Sequence, residues 1–114
     1  MAEHDTEALD ALDDVVRALE ATCNESRIAA DEAKLMRAKS RAGAPLHESF
    51  TSGGPTLIVR LSALQQRLSE SGSRLRRAQA RVLQREGLST ERIAELFGVT
   101  RQRVSALLRH DEPK

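Results

Sequence analysis

Four residues near the C-terminus, Arg101, Gln102, Ser105 and Ala106, have the types and the spacing to read the edges of DNA bases from one face of a helix. An arginine can donate two hydrogen bonds to a guanine edge, a glutamine can pair with adenine, and an alanine methyl can touch the methyl of thymine. Residues suited to phosphate surround them: Thr90, Thr100, Arg103 and Arg109 close by, with Arg77 and Arg81 further back. Hydroxyls, guanidinium groups and the free N–H groups of helix starts all suit phosphate oxygens, and such contacts set register rather than sequence preference. Arg103 lies at the edge of the face and could serve base or phosphate.

No other chemistry has a comparable set of residues. Cys23 is the single cysteine, so no intramolecular disulfide forms, and no lysine or histidine sits beside it to support a redox role. His4, His47 and His110 are scattered without metal-ligand spacing. Neither a nucleophile–base pair nor a phosphate loop is present, so a non-enzyme with no cofactor and no metal is expected.

To present those side chains, two short helices must cross tightly. With Thr90 as the first position of a helix-turn-helix, Ala94 falls where the helices meet and Gly98 where the chain bends. A small residue is needed at the crossing, and glycine takes the positive φ expected of the bend without strain. Ile93, Phe97, Val99, Val104, Leu107 and Leu108 would share a core with Leu83 and Leu88. Ser89 or Thr90 can cap the first helix and Thr100 the second.

The run from Gly87 to Val104, Gly-Leu-Ser-Thr-Glu-Arg-Ile-Ala-Glu-Leu-Phe-Gly-Val-Thr-Arg-Gln-Arg-Val, resembles the helix-turn-helix of bacterial regulators. It is especially similar to the promoter-reading region 4 of sigma factors and to the DNA-binding end of serine recombinases. The likeness covers Leu75 to Arg109, about a third of the chain. It implies that Arg101, Gln102 and Arg103 occupy base- and phosphate-contacting positions. The chain differs from both families: neither a polymerase-binding sigma region nor a recombinase catalytic domain is recognised, and no β-wing is expected after Arg109.

The rest of the chain reads as helix and linker, so an all-α fold is expected: an N-terminal helical hairpin serving as a dimerisation bundle, and a helix-turn-helix head. Residues 1–42 form an acidic amphipathic helix, 43–54 a flexible linker, 55–72 a leucine-striped helix and 73–110 the head. Leu9, Leu12, Val16, Leu19 and Cys23 follow steps of three and four, as do Leu57, Leu61, Leu64 and Leu68. Both seams are candidate dimer interface. Helix-forming residues from Ala29 to Met36 favour continuation of the first helix to about Arg41, with a break at Asn24 to Ser26 as the alternative. Glu70 to Ser73 is expected to break the second, with one long helix through Gly72 as the alternative.

Charge divides along the chain. Residues 1–32 carry ten acids against Arg17 and Arg27, whereas residues 60–109 carry eleven arginines against four acids. A basic C-terminal half suits a polyanion, although two oppositely charged faces can also attract each other. With no apolar stretch of membrane-spanning length and no signal peptide, a cytoplasmic location at the nucleoid is expected. These readings converge on a sequence-specific DNA-binding transcriptional regulator acting on double-stranded DNA as a homodimer. The competing reading is a DNA-anchored adaptor or antitoxin-like protein whose acidic first helix binds a protein partner.

Overall fold

The computed structural model describes residues 3–109, with side chains from residue 5 onward. The described chain is all-α: α1 Glu3–Arg41, α2 Leu46–Ser52, α3 Gly54–Arg85, α4 Thr90–Phe97 and α5 Arg101–Arg109. Residue 110, the last of the expected head, lies outside the described part. No described helix is long and apolar enough to cross a membrane.

The helix ends follow from glycine and proline. α1 contains neither residue and runs unbroken through Asn24 to Ser26. It stops at Gly43, whose φ of 110° lets the Ala44 N–H turn back to the Lys39 carbonyl at 3.0 Å. Gly87, with φ 97°, ends α3 in the same way, the Leu88 N–H reaching the Leu83 carbonyl at 3.1 Å.

Two expectations need correction. The stretch 43–54 is not a flexible linker, because α2 occupies most of it. Pro45 supplies the extended N-cap, and the Thr51 and Ser52 hydroxyls donate back to the carbonyls of His47 and Glu48. Gly53 then passes so near α1 that a Cβ there would lie 3.0 Å from Met36 Cε. Nor is there a break at residues 70–73, since α3 continues through Gly72. A mid-helix glycine costs about 1 kcal/mol against alanine, which packing of α3 on either side of it outweighs: Leu64 and Ala78 are both buried.

The chain divides into two compact units, residues 1–15 with 71–114 and residues 16–70, so the boundaries cut through α1 and α3 rather than falling between helices. In the first unit the start of α1 runs antiparallel to the end of α3. Glu7 accepts from Arg81 at 2.8 Å, and Asp14 pairs with Arg74. Ala11 and Ala78 are buried there. In the second unit Arg60 lies between Glu25 and Glu32, at 3.0 and 2.9 Å, and Ala18, Ala29 and Leu64 are buried.

The expected seams resolve unevenly. Leu9, Leu12, Val16, Leu19 and Cys23 are all exposed, as are Leu61 and Leu68. Leu64, by contrast, is buried within the chain and Leu57 half-buried, so neither is a freely outward-facing interface residue. The reason is angular: 57, 60 and 64 face α1, while 61 and 68, each four residues past 57 and 64, are turned about 40° further round.

Because a Cβ at Gly72 meets no atom within 4 Å, Gly72→Ala is expected to stabilise the protein by about 0.5–1 kcal/mol. Urea denaturation followed by circular dichroism measures this, and a loss of stability would show that the glycine is needed for local packing.

Candidate nucleic-acid interface

The head is built around four buried residues, Ala80, Ile93, Ala94 and Val104, with Leu83, Leu88, Phe97, Val99 and Leu108 packed against them. Ile93 and Val104 are the largest fully buried side chains among the described residues. Ala80 therefore ties α3 to both short helices. Of the six core residues expected on α4, its turn and α5, five belong to or pack against this cluster, and the sixth, Leu107, is buried.

The bend is set locally. Ser89, not Thr90, caps α4: its hydroxyl accepts from the Arg92 N–H at 3.1 Å. At the other end Gly98 adopts φ 67° and ψ 34°, the left-handed region where a side chain is strained. This lets the Val99 N–H reach back to the Ala94 carbonyl at 3.1 Å. Thr100 then caps α5, accepting from the Arg103 N–H at 3.1 Å. Ala94, 6% exposed, leaves room for α4 and α5 to cross.

That frame brings Arg101, Gln102 and Arg103 together, all exposed, on the first turn of α5, with Thr100 exposed just before them. Arg109 is exposed in the last turn. Ser105 and Ala106 are half-buried rather than openly presented, because α5 has only nine residues and seats Val104 and Leu107 inward on either side of them. Thr90 and Arg77 are also half-buried. Arg81 departs furthest from expectation. Its side chain is 15% exposed and held by Glu7, so it is not presented as a phosphate ligand.

A search of family models, curated proteins and solved structures finds no match to this chain. The reading of the site therefore rests on its own geometry.

One member of the site escapes sequence reasoning. Glu91, in the first turn of α4, accepts from Arg101 across the bend at 3.1 Å, both side chains being more than 60% exposed. The bond joins residues ten apart, a spacing that means nothing until the turn is folded. The signal available beforehand was only an acid at a helix start, which the helix dipole favours. Its own backbone N–H, then Arg101, hold the Glu91 carboxyl below its ordinary value. Arg92 is similarly paired with Glu95, at 3.1 Å.

Two outcomes follow. Because the folded Glu91 value is lowered, its bond to Arg101 persists above the ordinary glutamate range and is lost as pH falls through the lowered value. Carboxyl titration by NMR should show Glu91 with a depressed midpoint that Arg101→Ala raises only partway, since the backbone N–H remains; no change in Arg101→Ala would mean the pair does not form in solution. Ala94→Leu forces extra volume into the crossing and should destabilise the head by about 1–3 kcal/mol. An unchanged melting temperature would place the crossing elsewhere.

Proposed function

We propose that this chain is a sequence-specific DNA-binding protein of the helix-turn-helix type, a transcriptional regulator that inserts α5 into the major groove. One observation carries the reading: a helix start seated on a tight two-helix crossing presents Arg101, Gln102 and Arg103 together to solvent. The N-terminal turn of a recognition helix is the part that reaches base edges. Arg101 reads guanine and Gln102 adenine; Thr100, Arg103 and Arg109 hold phosphates. Ser105 and Ala106 contribute through their exposed portions only.

Glu91 acts on Arg101 in this scheme. On a guanine edge the guanidinium exchanges one exposed carboxylate for two base acceptors, a small change because pairs in water are weak. Against a phosphate backbone of arbitrary sequence, the carboxylate opposes approach.

The acidic helix gives less support to the adaptor reading. Glu7 and Asp14 are engaged with Arg81 and Arg74 of the same chain, which reduces the charge α1 offers to another protein. A single head makes few contacts, and paired heads reading half-sites about 34 Å apart would supply more.

Selection from random duplexes with the purified full chain tests the proposal. A defined motif is the expected result, and failure to enrich any sequence overturns it. At the selected site, Arg101→Ala should cost about 1–3 kcal/mol and relax preference at one base position. Arg109→Ala should instead weaken all duplexes alike and reduce the salt slope by about one.

A further inference from the structure

Leu64 apart, the helix pair of the second unit places small residues inside and most of its large ones outside. Between α1 and α3 the buried positions are Ala18, Ala29 and Leu64. Outside are Leu19 at 54% exposure, Ile58 at 61% and Leu61 at 47%, together with Val16, Leu68 and the Phe50 ring of α2. Alanines let two helices approach closely but remove little apolar surface from water, so this arrangement leaves Val16, Leu19, Ile58 and Leu61 about half exposed.

These residues share one side, whereas Ile28, Leu35 and Val59, also exposed, lie on the other. Leu19 follows the inward Ala18, Cys23 follows Thr22, Ile58 follows Leu57 and Leu61 follows Arg60; each is a single 100° step past a residue that faces the other helix. Since α1 and α3 run antiparallel here, the same step on both turns to the same side of the pair. Where the α1 stripe thins to Ser26, Ala30 and Ala33, the tip of the unit supplies bulk instead. Met36, Phe50, Pro55, Leu57 and Ile58 line an almost wholly apolar groove of about 520 Å³. A second groove of about 360 Å³ joins Ala33 and Arg37 of the stripe to Phe50 and Leu57. The other side differs: Val59 there shares its groove with Glu25, Arg60 and Arg67.

We infer that this face of residues 16–70 binds a second copy of the same chain. Three features favour a copy over any other occupant. The half-exposed side chains amount to roughly several hundred Å² of apolar surface, at the upper end of what a solitary protein leaves in one patch and approaching the ~800 Å² that each partner brings to a standard interface. Apart from Arg37 near its tip, the stripe of Val16, Leu19, Cys23, Ile58, Leu61 and Leu68 is uncharged, and the residues at its outer edge on α1 carry both signs, as Glu20 and Arg27 do. A partner of one sign would meet repulsion at one edge, whereas a copy meets its own complement. Lastly, the face carries both projections, Leu19 and Leu61, and grooves beside Phe50, as a two-fold contact requires of each partner. The association does not depend on the DNA-binding reading and is measured without DNA.

Sedimentation equilibrium of the full chain at micromolar concentration is the test. The expected mass is twice the 12.6 kDa of one chain. Leu19→Glu and Leu61→Glu should each weaken association about thirty-fold or more while leaving the helical circular dichroism intact, because both side chains are already half in water. Val59→Glu, on the other side, should leave the dimer unchanged. If a glutamate variant loses its helical signal, the milder Leu61→Ser is read in its place. A wild-type chain that remains at 12.6 kDa overturns the inference. So does a dimer that survives both stripe substitutions, or one that Val59→Glu disrupts while Leu61→Glu does not.

Discussion

The proposed interface depends on how closely α4 and α5 can approach each other. Two helices cross at short range only if the residue between them is small and the connection is short, and Ala94 and Gly98 meet these two requirements. Gly98 does so by taking a left-handed backbone, after which the Val99 N–H closes on the Ala94 carbonyl and Thr100 starts the next helix. Once that geometry exists, Ile93 and Val104 have nowhere to go but the interior, and the first turn of α5 has nowhere to go but out. The exposure of Arg101, Gln102 and Arg103 is a consequence of packing on the opposite side of their own helix.

Arginine serves two separate ends in this chain. Arg60, Arg74 and Arg81 are engaged by acids of α1, and these bonds join helices that otherwise meet largely through alanine. Such pairs, partly shielded from water, hold orientation more than they add stability. Arg103 and Arg109 stand exposed on α5, and Arg101 is shared with Glu91. The strongly basic second half of the chain is thus less basic in effect than its composition suggests. The acids of α1 account for much of the difference, as the attraction between two charged faces would have it.

Within the second unit the same economy of bulk recurs in a different form. Alanine at much of the contact between α1 and α3 brings the backbones together, and Leu19, Ile58 and Leu61, displaced from that contact, emerge on one side. A helix pair with its bulk turned outward satisfies its own geometry without satisfying the hydrophobic effect, which is the physical basis for assigning that side to a second copy.

Several features were legible in the residues alone. Helical periodicity, the absence of strand-like alternation, the stops at Gly43 and Gly87, the buried crossing residue and the glycine of the bend all follow from interactions within a few residues, where side-chain size and backbone freedom decide the outcome. Tertiary structure decided the rest. Whether Leu64 or Leu61 turns inward is a matter of about 60° around the helix and depends on where the neighbouring helix lies. Whether Gly72 breaks α3 depends on packing to either side of it, and whether residues 46–52 coil or wind depends on Met36 receiving Gly53. Arg81 has the charge of a phosphate ligand, but its accessibility is determined by Glu7, 74 residues away. Local propensity acts over one or two turns of helix, whereas burial and ion pairing join residues that only folding brings together.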